Sequence, residues 1–305
     1  MQSETGQHRQ GIASLLHNEI TAWLILAISL VITTLGWYIS KEYVERRAND
    51  RFSFVVEDAV QRIRNRMLEY EQVLRSGVAL FDALGRPATR SEWQTFVDRM
   101  QIEKSFPGIQ GIGYAEMLAP EQLPGHVASV RAEGFADYSV KPEGARDMYS
   151  AIVYLEPFDW RNRRAFGYDM YSNPMRRAAM EHARDAGSAA VSGRVVLVQE
   201  TATDVQAGFL VYLPVYRPGL PHDTVEQRRK ALMGYVYSPF RMNDLMRGIL
   251  GSDTPEVGFE LYDETETRSA DTLLYDSRPQ KAIESGHFMR TTRIPLSGRM
   301  WTATF

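Results

Sequence analysis

Between 22 and 40 the chain reads AWLILAISLVITTLGWYIS, with no charged side chain. At 1.5 Å per residue a helix of that length spans roughly 28 Å, about one hydrocarbon core. The pattern predicts a transmembrane helix. Trp23 stands near one end and Trp37 and Tyr38 near the other, where amphipathic rings favour the headgroup level, and Lys41 closes the run. A second pattern follows over 41–84, a stretch without proline whose first glycine is Gly77. There Val56, Val60, Ile63, Met67, Tyr70, Leu74 and Phe81 recur at steps of four and three, the stripe of an amphipathic helix, while Arg62, Arg64, Arg66, Glu69 and Glu71 take the flanks. Such a stripe fits either a helix packed on its own domain or a parallel seam between two copies of the chain.

Gly85, Arg86 and Pro87 stop that helix, and Thr89 or Ser91 can cap a second one carrying Trp93, Phe96, Val97 and Met100 on one face. Phe106-Pro107-Gly108 breaks it. The rest alternates between short β-type runs (109–117, 150–154, 190–198, 209–216, 232–237, 258–262, 272–275, 288–295 and 300–305) and helical patterns at 120–132, 173–186 and 241–250. Most connections are too short for right-handed crossovers, so the expected class is α+β with antiparallel sheets. The turn-rich stretch Arg217-Pro218-Gly219-Leu220-Pro221 predicts a boundary. The expected division is a tail over 1–21, a membrane helix over 22–40, a stalk helix over 41–85, one sheet domain over 86–218 and a smaller one over 219–305. A strand pattern at 301–305 with nothing after it leads us to expect a further, effector-bearing part of the protein.

Composition narrows function mainly by exclusion. The 305 residues are 44% hydrophobic and 24% charged, enough for a substantial core, and the net charge of −3 supplies no cationic surplus for nucleic acid. Without cysteine there is no disulfide, thiolate metal site or cysteine nucleophile. The six histidines, His8, His17, His126, His182, His222 and His287, show no ligand spacing, so neither a metal nor any other cofactor is expected. Gly108, Gly111 and Gly113 have the wrong spacing for a dinucleotide loop, and no nucleophile elbow or phosphate loop occurs, so these residues are not expected to catalyse a reaction. Charge bias leaves orientation open. Arg9 alone precedes the apolar run whereas Lys41, Arg46, Arg47 and Arg51 follow it, which taken alone would put the large part in the cytoplasm.

The stretch 149–171 holds seven aromatic residues beside Glu156, Asp159 and Asp169. Rings with a few carboxylates suit a small planar or cationic ligand, whereas a core strand beside a solvated loop, with Arg161, Arg163 and Arg164 pairing the acids, is the plainer reading.

Several motifs then fall in the order of a known family: Gly111-x-x-Tyr114-Ala115-Glu116, Arg146-Asp147-x-Tyr149, Asp169-Met170, Ala183-Arg184-x-x-Gly187-x-Ala189, Pro214-Val215-Tyr216, and Gly234-Tyr235 leading to Phe240 and Leu245. Over roughly 73–250 the chain resembles the CHASE sensory domains, known from plant cytokinin receptor histidine kinases and from bacterial receptors. Tyr154-Leu155-Glu156-Pro157 and Gly167-Tyr168-Asp169-Met170 are closest to the bacterial members. The resemblance implies a stalk helix, a membrane-distal PAS-like domain that binds ligand, a smaller membrane-proximal one, and an extracytoplasmic position at the cell inner membrane. It also implies a C-terminal histidine kinase, diguanylate cyclase or phosphodiesterase. In the plant receptors an aspartate between the Arg-Asp-x-Tyr and Asp-Met motifs grips the adenine-like ring. Here that interval is longer, Pro157 occupies the gapless position, and Glu156 and Asp159 are the nearest acids. The expected site is therefore Glu156 or Asp159 as anchor with Tyr114, Tyr149, Asp169, Ser192 and Tyr212 around the ligand. The expected protein is a homodimeric membrane sensor of a small molecule. The competing reading is a module that binds a protein or cell-wall fragment.

Overall fold

The computed structural model describes residues 19–106, 108–251, 256–263, 269–278 and 288–305, in two compact units divided at Val55 and Val56. The expected tail lies outside the described residues up to 18, as do His8, His17 and His287. In the first unit the chain is helical from Glu19, within α1 (Glu19–Leu84), and this is the one helix among the described residues long and apolar enough to cross a membrane. Thr33 and Thr34 of its apolar run donate back to the carbonyls of Ser29 and Leu30 at 2.8 and 2.7 Å, which satisfies these two hydroxyls within the helix.

In the second unit the striped part of α1 is buried. Val56, Val60, Ile63, Met67, Tyr70, Leu74 and Phe81 are all core residues of this one chain. Of the two readings of the stripe, the packed intramolecular helix is the observed one, and a two-chain seam through these residues is not available. The reason is geometric, because the stripe packs within its own chain, with Tyr70 against Phe240 and Phe81 against Tyr114 of a five-stranded antiparallel sheet. Gly77 marks the closest approach: a Cβ there would lie 3.0 Å from Val236 Cγ1 and 3.4 Å from Trp93. Gly85, in the left-handed region at φ +64°, donates to the Phe81 carbonyl and ends α1. Helix α2 (Arg90–Met100) opens with a capping box in which Thr89, rather than Ser91, pairs with Glu92. The short helix α3 (Ile102–Ser105) follows.

The first sheet has the order β2-β1-β5-β4-β3, built from β1 (Ile112–Leu118), β2 (Tyr149–Glu156), β3 (Ala190–Val191), β4 (Gly208–Tyr216) and β5 (Leu232–Arg241). Three helices accompany it before its last strand closes: α4 (Leu123–Ala132), α5 (Pro174–Ala186) and α6 (Val225–Ala231), with α7 (Met242–Leu250) after it. β4 and β5 are paired from Gly208 opposite Arg241 to Tyr216 opposite Leu232. The expected boundary at 218 to 219 therefore falls in a connection inside this sheet, whose β5 is flanked by β1 and β4. The second sheet, in order β7-β6-β9-β8, is formed only by β6 (Glu260–Asp263), β7 (Leu273–Asp276), β8 (Thr291–Leu296) and β9 (Arg299–Thr304). The result is the α+β pair of antiparallel sheets that the patterning predicts, in keeping with the PAS-like domains that the resemblance implies. Aromatic contacts join them: Tyr70 of α1 lies 5.0 Å from Phe240, which stacks on Phe209 at 4.9 Å, and Phe209 meets Trp301 of the second sheet edge-on at 5.0 Å.

Candidate functional site

Strand alternation sorts the expected site residues onto two faces of the first sheet. Tyr114 is on the face covered by α1, with its ring 4.6 Å from Phe81 and 6.1 Å from Tyr154. Glu156 shares the face of Tyr154, and its carboxyl is pushed up chiefly by burial, with Asp98 raising it further and the Phe158 amide opposing. Asp159 is exposed. Its Oδ1 accepts from the amides of Arg161 and Asn162 at 2.9 and 2.8 Å, at the entry to the 3-10 turn Asn162–Ala165. Neither acid is brought to Tyr212, which points from β4 to the opposite face together with Leu210, Tyr235 and Tyr237. Tyr149 packs in a separate small cluster with Leu118, Val130, Tyr138 and Val140, and its hydroxyl donates to the Gly144 carbonyl at 2.8 Å.

Asp169 is fully buried, and Oδ1 accepts from the amides of Ser150 and Tyr171 at 2.8 and 3.0 Å. Its Oδ2 lies 3.4 Å from Nη1 of Arg146, so two of the sequence motifs meet as one ion pair. Burial raises its pKa, against the lowering effect of those amides and of Arg146. With these partners Asp169 ties β2 to the turn Met170–Ser172. Ser192 Oγ accepts from the Leu210 amide and donates to the Gly193 carbonyl, both at 2.9 Å, which pins β3 to β4.

The face that carries Tyr212 is roofed by Ala179, Met180 and Ala183 of α5, by Met170 and Tyr171, and by Val195 and Leu197 from the segment after β3. Asn173 caps α5 by accepting from the Arg176 amide at 3.1 Å, with Pro174 in the first turn. Arg176 thereby stands at the start of the same stripe as Ala179, Met180 and Ala183, and it is 2% exposed. Its guanidinium lies 4.8 Å over the Tyr168 ring, and Nη2 donates to the Val196 carbonyl at 3.3 Å. Arg176 Nε and the hydroxyls of Tyr212 and Tyr237 are buried without a hydrogen-bond partner among the described residues. Burial pushes both phenols well above their ordinary value, and the charge of Arg176 opposes it. Each such orphan costs about 1–3 kcal/mol, so two on the sheet and one on the helix above it call for polar atoms that the described residues do not supply.

Arg176, Tyr168 and Tyr237 are absent from the site expected from sequence. The available signal was a helical one: Arg176 stands three, four and seven residues before Ala179, Met180 and Ala183, a cation at an apolar-stripe position.

The CHASE domain family model matches residues 87–275, more than half of the chain. No curated protein sequence matches it. Among solved structures the chain is similar to an extracellular ligand binding receptor from Desulfohalobium retbaense DSM5692, at 11% identity and a TM-score of 0.50. The likeness covers 83% of this chain and 39% of that one, and at such identity it concerns the fold alone.

Proposed function

This chain belongs to the CHASE domain family, and from that premise we propose that it is the extracytoplasmic sensor region of an inner-membrane receptor, binding a small molecule on the α5-covered face of its first sheet. The observation that carries this reading is the set of buried, unpartnered polar atoms on that face, Tyr212 and Tyr237 of the sheet and Arg176 of its roof. Ligand occupancy selects one arrangement of the module, to the extent of its differential affinity for the two, and α1 passes the choice to an effector outside this chain, a histidine kinase or a cyclic-di-GMP enzyme. The chain itself performs no catalysis in this scheme.

A homodimer fits the reading if the seam is the exposed face of α1, where Gln61, Asn65, Leu68, Gln72, Arg75 and Ala79 recur at four and three while the buried stripe is occupied. The test of ligand binding is mass spectrometry of molecules released from the purified full chain. A small molecule that recurs in wild type and is lost when Tyr212→Ala and Tyr237→Ala are combined supports the pocket, and equal recovery from both would refute it.

A second reading has one observation in its favour. An open cleft of about 600 Å³ runs along Arg75, Val78, Leu213, Tyr216, Arg217 and Arg228. This surface suits a protein or cell-wall fragment, and capture of that partner by the double variant would favour it.

A further inference from the structure

We propose that the site beneath α5 takes an organic carboxylate, gripped by the guanidinium of Arg176 with the hydroxyls of Tyr212 and Tyr237 beside it. The proposal rests on the reading of that face as the ligand site and names the ligand class.

Two arginines among the described residues are fully buried, Arg176 and Arg241. Arg241 is surrounded by acids: Glu200 at 2.7 Å, Asp204 at 2.9 Å and Asp244 at 2.8 Å. Arg176 has no carboxylate within 4.0 Å among the described residues, and its Nη2 donates to the Val196 carbonyl. A guanidinium keeps its charge at any working pH and offers five donors in a planar fork, a shape that matches a carboxylate in two parallel bonds. Holding such a charge in an apolar roof without a counter-charge is unfavourable, and a ligand anion supplies it. The Tyr168 ring covers one face of the fork, which leaves its edge for a coplanar oxyanion. The two phenols are neutral donors, because burial holds their protons on, so they can each give a hydrogen bond to the same head group.

The surrounding surface fixes the remainder of the ligand. Ile152, Leu210 and Met180 share this cluster, so the body behind the carboxylate is apolar. For an amine the described acids are less suited: Glu156 and Asp159 lie elsewhere, and Asp169, whose Oδ1 is taken by two amides, already has Arg146 3.4 Å from its Oδ2.

The test is thermal shift and calorimetry on the full chain in detergent micelles with two matched sets of probes, acetate, acetamide and methylammonium, and benzoate, benzamide and benzylammonium. At least one carboxylate is expected to bind, and its amide and ammonium counterparts are not. Arg176→Gln should weaken carboxylate binding about tenfold or more, Arg176→Lys should weaken it as well by losing the fork, and Tyr237→Phe should weaken it a few-fold. If Arg176→Gln fails to fold, the lysine and phenylalanine variants decide. Binding of an amide or an ammonium in preference to the carboxylate, or unchanged carboxylate affinity in the folded variants, would overturn the anion assignment and leave the pocket standing. No binding by any probe overturns the assignment too, and recovery of a released molecule of another class then separates its failure from that of the pocket.

Discussion

Arg241→Met is the most informative perturbation of stability, because Arg241 neutralises acids that two different segments bring together. Its guanidinium closes the end of β5 onto Glu200 and Asp204 of the segment after β3 and onto Asp244 of α7. Glu200 is as buried as Arg241, with side-chain exposures of 4% and 5%, whereas Asp204 is 66% exposed and contributes little. Methionine roughly keeps the volume but leaves the Glu200 carboxylate buried without its cation, which should cost about 3–5 kcal/mol. For a folded body of about 250 residues that lowers Tm by roughly 6–20 °C. The loss is not the worth of the ion pair, since most of it is the orphaned charge. Adding Glu200→Leu should therefore recover much of it, so the double variant is more stable than Arg241→Met alone. Urea unfolding of the four chains, followed by tryptophan fluorescence, closes the cycle. A single variant within 1 kcal/mol of wild type, or a double variant no better than the single, would refute the reasoning.

Gly77→Leu should destabilise by about 1–3 kcal/mol in the same assay despite gaining close to 1 kcal/mol in helix propensity, because Val236 is held between β1 and β4 and cannot retreat; a more stable variant would show that α1 lifts off the sheet. The Glu92 carboxyl is lowered to about 2, first by its bond from Arg86 and then by Thr89. Since the folded value is the depressed one, the advantage of wild type over Glu92→Gln should be fully present above pH 4.5, the ordinary carboxylate value, and fade as pH falls toward 2; a pH-independent difference in melting would remove the ion pair from the account. Cysteines at Asn65 and Leu68 should crosslink between protomers in membranes while those at Val60 and Ile63 do not, because the latter are buried in their own chain; the reverse pattern would restore the inner stripe as the seam. Alkaline phosphatase fused after Phe305 should be active, and an inactive fusion beside an active cytoplasmic reporter at the same point would reverse the topology.

Local rules made much of this protein legible from its residues. An uncharged run as long as a bilayer is thick, a four-three stripe, the Thr89 capping box and the alternating strands each depend on neighbours within one turn or one pleat, so the apolar helix, the α1 stripe, α2 and the antiparallel class could be read directly. What no local rule contains is which face meets which. The stripe of α1 looked equally suited to a second copy until the first sheet proved to occupy it, with Gly77 against Val236 as the point of contact. The same holds for the site. Tyr114 and Tyr212 both read as aromatic strand residues, but alternation and sheet order send them to opposite faces, and the turn chemistry of Asp159 and the backbone bonds of Asp169 engage acids that composition alone would offer to a ligand. The division near 218 failed for a related reason: a Pro-Gly turn marks where a chain reverses, and only pairing decides whether the next strand returns to the same sheet, as β5 does. Arg176 was visible as a cation in an apolar stripe, but its want of a counter-charge is a property of the whole roof and sheet around it, and only the packed structure brings those surfaces together.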